Sequence, residues 1–150
     1  MPYEIERRFV VDGDVSALCR DGTHIVQGYL WTGKGANLRV RLTDDGAFLT
    51  AKGPKRGCVR TEIEKRIPEQ QARRMLDAID PHRLVRKTRY HVDHCGTQWV
   101  VDVFDDELAG LVIAEVELDD PTQPLALPDW VGPEVTNDPR YGNSALACAR

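Results

Sequence analysis

The sequence predicts a mainly β, α+β fold, a closed eight-stranded antiparallel β-barrel or tunnel with peripheral helices. Three observations predict it. Apolar and charged residues alternate with period two through about eight segments. Glycine-containing turns separate several of them at hairpin spacing. Charged residues two apart recur on five strands, as the walls of a closed wet interior would need.

The first strand is expected over Tyr3 to Val11, where Glu4, Glu6 and Arg8 alternate with Tyr3, Ile5 and Phe9. Runs at His24 to Thr32, Asn37 to Thr43 and Ala47 to Gly53 follow. They are separated by Thr32-Gly-Lys-Gly35 and Asp44-Asp-Gly46, turns of the kind that join antiparallel strands. A fifth strand spans Cys58 to Ile67 and stops at Pro68. From Glu69 to Ile79, Ala72, Met75, Leu76 and Ile79 share one helical face, and Glu69 suits the helix N-terminus. Strands at Arg83 to Val92, Gln98 to Asp105 and Leu111 to Leu118 complete the set. Beyond Leu118 the sequence reads as an irregular connector, with Trp130, Val131 and Val135 covering a core or barrel end and a short terminal helix from Asn143 to Arg150.

At 150 residues the chain suits one domain, 1–150, with one substantial core. Its formal charge of -4 gives no support to a nucleic-acid or anionic-membrane surface. No apolar run approaches a membrane span, and the N-terminal segment alternates charges, so a cytoplasmic protein is expected. Cys19, Cys58, Cys95 and Cys148 form no CxxC pair and read as ordinary thiols, several of them buried. His91 and His94, three apart in a strand, should not share a face.

Five strands carry charged residues two apart: Glu4-Ile-Glu6, Arg39-Val-Arg41, Glu62-Ile-Glu64, Lys87-Thr-Arg89 and Glu115-Val-Glu117. One such pair alone would be the wet face of a half-exposed strand. Five, with carboxylates and bases segregated onto different strands, read instead as opposing walls of a wet lumen. The acids Glu4, Glu6, Glu62, Glu64, Asp102, Glu115 and Glu117 need cations, while Arg8, Arg39, Arg41, Lys52, Lys87 and Arg89 need anions. A polyphosphate with Mg²⁺ or Mn²⁺ supplies both signs, because bases grip phosphate oxygens and hard dications take carboxylate ligands. Gly33-Lys-Gly35 and Lys52-Gly-Pro54 lack Walker-loop spacing, and Ser144 has no base nearby in sequence.

Glu4-Ile-Glu6-Arg-Arg8 resembles the ExExK signature of the CYTH superfamily, the triphosphate tunnel metalloenzymes. The resemblance continues through Leu38-Arg-Val-Arg41, Thr50-Ala-Lys52-Gly, Arg60-Thr-Glu-Ile-Glu64, Lys87-Thr-Arg89-Tyr, Trp99-Val-Val-Asp102-Val-Phe104 and Ala114-Glu-Val-Glu117-Leu. It implies an eight-stranded tunnel, two-ended or partly plugged, that hydrolyses triphosphates with a divalent metal. Carried over, the seven acids form the metal-facing set, some orienting metal-bound water, and Arg39, Arg41, Lys52, Lys87 and Arg89 hold phosphates. Arg8 stands where the signature has lysine, which keeps the charge but makes a poorer proton carrier. Tyr29 matches the tyrosine expected beside it, so Arg8 and Tyr29 are the catalytic candidates.

The expected reaction is hydrolysis of inorganic triphosphate to diphosphate and phosphate by direct attack of water. Thiamine triphosphatase is the nearest rival, with Trp31 or Trp99 available to stack on a ring. Adenylate cyclase follows, then a non-catalytic binder of polyphosphate or phosphorylated metabolites, which the many acids disfavour. A β protein using its charges only for solubility comes last. A homodimer stays open.

Overall fold

The computed structural model describes residues 3–148 and consists of eight strands and two helices. In chain order these are β1 (Tyr3–Val10), β2 (Thr23–Gly33), β3 (Ala36–Thr43), β4 (Gly46–Lys52), β5 (Val59–Ile67), α1 (Glu69–Asp77), β6 (Val85–His94), β7 (Thr97–Phe104), β8 (Val112–Glu117) and α2 (Asn143–Cys148). The strands pair antiparallel in the order β1-β5-β4-β3-β2-β6-β7-β8, and β8 returns to β1 to close a barrel. Closure gives every strand a partner on both sides over part of its length. Strand ends shift by one or two residues from the periodicity because ladder hydrogen bonding continues for as long as the partner strand lasts. Arg83, expected to open the sixth strand, instead closes a 3₁₀ turn over Pro81–Arg83, at whose start the Asp80 side chain accepts from the His82 amide.

Period two sends each strand's residues alternately inward and outward, and both faces are used. Outside, Phe9, Trp99, Val101, Ala114 and Val116 form one cluster, covered by Trp130 and Val131 of the connector. Trp99 meets Phe9 at 5.5 Å and Trp130 edge-on at 5.8 Å between ring centroids. A second outer cluster packs Ala72 and Leu76 of α1 on Val40 and Ala47, with Met75 and Ile79 at its margin. Gly28 makes room there: a Cβ would stand 2.6 Å from Ile79 Cδ1.

Inside, the lumen is divided. Val85, Phe104 and Ile113, at inward positions, join Leu146 and Ala147 of α2 in a third cluster. The terminal helix therefore plugs part of the barrel, and the polar positions line the remainder.

The connector is more ordered than its composition predicts. β1 pairs with β5 only through Ile5, leaving its later residues without a partner on that side. Residues 132–136 take the vacancy: Gly132 donates to the Val10 carbonyl at 2.8 Å, Val10 to Pro133 at 2.9 Å and Val135 to Arg8 at 2.8 Å. Arg7 adds an ion pair to Glu134 at 2.6 Å. Trp130 and Val135 thus cover the barrel as expected. The thiols differ from expectation: Cys19 and Cys58 are only half-buried and Cys95 is exposed. Trp99 is wholly buried in the outer cluster and Trp31 is 56 % exposed, and neither lines a cavity of the lumen where a ligand's ring could stack. No helix is long and apolar enough to cross a membrane among the described residues.

Removing Trp99 empties the centre of the outer cluster. Trp99→Ala is expected to cost about 3–5 kcal/mol, whereas exposed Trp31→Ala should stay within about 0.5 kcal/mol. Urea unfolding of both variants reads the difference; equal midpoints would contradict this packing.

Candidate active site

Direct cross-strand neighbours bring opposite charges together inside the barrel. Arg8 lies opposite Glu115, Lys52 opposite Glu62 and Arg89 opposite Asp102. The Arg8 guanidinium donates to Glu115 at 2.8 Å, to the Tyr141 carbonyl at 2.8 Å and, more weakly, to Glu6 at 3.4 Å. Lys52 Nζ stands between Glu4 at 3.0 Å and Glu62 at 3.3 Å. Arg89 forks both oxygens of Asp102 at 2.7 and 2.8 Å.

Two adjoining cavities of about 510 and 480 Å³ occupy the polar part of the lumen and share Glu4, Glu6, Arg8, Arg39, Lys52 and Asn143. Along β3 and β5 the wall steps from Asn37 and Arg60 in the first to Arg41, Glu62 and Glu64 in the second. Tyr29 lines the first with Arg8; Arg89, Glu115 and Glu117 line the second. Glu64 and Glu117 are exposed at its mouth, with Glu64 accepting from Thr50 at 3.0 Å. Asp102 and Lys87, expected on metal and phosphate respectively, line neither cavity. Both are fully buried, and Lys87 Nζ reaches Asp102 at 2.8 Å, so Arg89 and Lys87 occupy the carboxylate that was expected to be open.

The charges are not evenly matched. Arg39 has no ion-pair partner among the described residues, and Arg41 donates only to the amide oxygen of Gln27 at 3.0 Å. Burial, followed by the like charges of Arg39 and Arg89, pulls the Arg41 guanidinium below its ordinary value. Burial also drives the Lys87 ammonium down to about 7 against the pull of Asp102. Among the acids, burial and then the neighbouring Glu115 hold the Glu6 carboxyl well above its usual range. Glu115 itself, despite its burial, is held well below that range by Arg8, Arg89 and Lys87. The lumen therefore contains a basic wall owed an anion and an acidic corner owed a cation.

That corner bears on a metal. Among the described residues no three acidic, His or Cys side chains are gathered closely enough to hold an ion as they stand. The chemistry of the donor set nevertheless fits a hard dication: six carboxylates border one cavity, and Glu6 is destabilised by Glu115 and Glu4, a repulsion that a cation relieves.

Several lumenal residues escape the charge pattern. Gln27 is uncharged yet wholly buried; its position two residues before Tyr29 and two after Ile25 was the available signal. Asn143 accepts from Lys87 at 3.3 Å and borders both cavities, although a short terminal helix in sequence says nothing of its entering a barrel. Thr136 accepts from the Arg8 amide at 3.0 Å, a contact across 128 positions with no local signature.

Comparison with known proteins agrees with this architecture. An inorganic triphosphatase of Acetivibrio thermocellus is 42% identical over 146 residues, covering 97% of this chain and 94% of its own length. One of Nitrosomonas europaea is 38% identical over 152 residues, covering 96% of each. A crystal structure of an inorganic triphosphatase superposes with a TM-score of 0.68 at 35% identity, over 96% of this chain and 93% of the other. Residues 2–145 match the CYTH domain, and the chain belongs to that family.

Proposed function

We propose that the chain hydrolyses inorganic triphosphate to diphosphate and phosphate with the help of Mg²⁺ or Mn²⁺. The observation that carries this reading is the coexistence, in one closed lumen, of Arg39 and Arg41, which meet no carboxylate among the described residues, with Glu64 and Glu117, which meet no base there, and a Glu6 carboxyl crowded by Glu115. The full-length similarity to two inorganic triphosphatases supports the choice of substrate.

In this reading Arg39 and Arg41 seize the phosphate chain. Neither has a carboxylate to release first among the described residues, so binding is not opposed by a broken ion pair. Arg89 and Lys52 reinforce that grip from neighbouring strands. Asp102 holds Arg89 and Lys87 in place, a positioning role different from direct metal ligation. Arg8, held by Glu115 and the Tyr141 carbonyl, neutralises charge developing on the transferred phosphoryl group. Tyr29 borders the same cavity and orients the attacking water. Glu6, Glu115 and Glu117 would hold the divalent ion, with Glu4, Glu62 and Glu64 ordering its waters. When bound, that ion polarises phosphoryl oxygens and lowers the barrier to attack.

Phosphate release from inorganic triphosphate, ATP and thiamine triphosphate, with Mg²⁺, Mn²⁺ or a chelator, tests this directly. Inorganic triphosphate should be turned over fastest and only with metal; preference for thiamine triphosphate or formation of a cyclic nucleotide would overturn the assignment.

Glu6→Gln keeps the shape but removes a hard ligand, and its turnover should fall by about a hundredfold or more. Loss of one charge-assisted contact in Arg41→Ala should weaken triphosphate binding by roughly ten- to a hundredfold. Arg8→Lys should retain substantial activity and Arg8→Ala very little, with circular dichroism checking that the barrel survives the loss of Glu115's nearest partner. Parent-like kinetics in Arg8→Ala would remove Arg8 from the site.

A further inference from the structure

Three bases of the lumen stand directly opposite an acid on a neighbouring strand: Arg8 opposite Glu115, Lys52 opposite Glu62 and Arg89 opposite Asp102. The two arginines of β3 break that pattern. Arg39 lies between Tyr29 on β2 and Thr50 on β4, and Arg41 between Gln27 and Phe48, so neutral residues stand on both sides of each. Gln27 nevertheless holds its arginine: the amide oxygen accepts from Arg41 Nε at 3.0 Å. Asp102 does not supply the missing acid. Its oxygens are taken by Arg89 and Lys87, and its pull on Arg41 is weaker than the opposing push of Arg39 and Arg89.

Gln27 is wholly buried and borders neither cavity, so it reaches a ligand only through Arg41. Its amide nitrogen has no hydrogen-bond partner among the described residues. A half-satisfied amide in a sealed position costs stability that an apolar side chain of similar size would avoid. Glutamate, with the same shape, would pair with Arg41 and complete the acid–base pattern of the other strands. Glutamine does neither: it accepts from the guanidinium and leaves the positive charge in place.

We propose that Gln27 is a positioning residue for triphosphate binding, whose amide oxygen aims the Arg41 guanidinium into the lumen without neutralising it. This rests on the reading of Arg41 as part of the phosphate grip. A carboxylate at position 27 would turn the grip inward on itself, because the ion pair would have to be broken before the phosphate could be bound.

Calorimetry on the whole chain with imidotriphosphate, a non-hydrolysable analogue, in the presence of Mg²⁺ tests the proposal, with urea unfolding of the same proteins beside it. Gln27→Glu should weaken analogue binding about tenfold while its unfolding midpoint stays equal to the parent's or rises. Gln27→Met should weaken binding about three- to tenfold, again without loss of stability, since it removes the acceptor and fills the same space. A residue that served only packing would do the reverse, lowering the midpoint and sparing affinity. In an Arg41→Ala background Gln27→Met should cost less than about twofold more, because nothing is left for it to aim. Should the Glu variant not fold, the Gln27→Met cycle decides alone. Parent-like affinity in Gln27→Met, or the same loss with and without Arg41, would overturn the positioning role and leave the grip intact. Parent-like affinity in Arg41→Ala would overturn the role of Arg41 in the grip, and that of Gln27 with it.

Discussion

Ionised groups taken out of bulk water need counter-charge, and a closed barrel with charged residues at inward positions must supply it from its own strands. Arg8 against Glu115, Lys52 against Glu4 and Glu62, and Arg89 with Lys87 against Asp102 meet that need. Each set joins different strands, so the charges fix the relation between walls as well as the sign of the lumen. Such pairs add little to net stability after desolvation. The outer clusters under the connector and α1, and the inner plug made with α2, supply the burial that holds the barrel shut.

Pairing is incomplete in two places, and those places define the chemistry. Arg39 and Arg41 have no acid to meet them among the described residues, while Glu6 sits beside Glu115 with its carboxyl destabilised. An interior built only for stability would avoid both. A ligand that is itself a polyanion joined to a cation resolves them together, and neither component does so alone. The strap along β1 contributes by fastening Arg8: Thr136 receives its amide and the Tyr141 carbonyl its guanidinium.

The barrel was legible because period-two alternation and hairpin turns are local, and the inward charges were legible because they repeat on five strands. Depth along the lumen was not. Asp102 and Glu117 both sit on inward positions, yet one is sealed behind Arg89 and Lys87 and the other is exposed at the mouth. Alternation specifies the face of a strand, whereas distance from the plug follows from strand stagger and from where α2 enters, both set by long-range packing. The same limit hid the strap at residues 132–136: its proline-rich surroundings look irregular, and its hydrogen bonds go to a strand more than a hundred positions away.

The central claim is that water cleaves inorganic triphosphate once within this lumen. Phosphorus NMR of the reaction in ¹⁸O-labelled water, with Mg²⁺ present, reads both the products and the origin of the new oxygen. Diphosphate and phosphate should appear in equal amounts, with one labelled oxygen per bond broken, and a chelator should stop the reaction. Unchanged triphosphate, or phosphate formed without diphosphate, would contradict it.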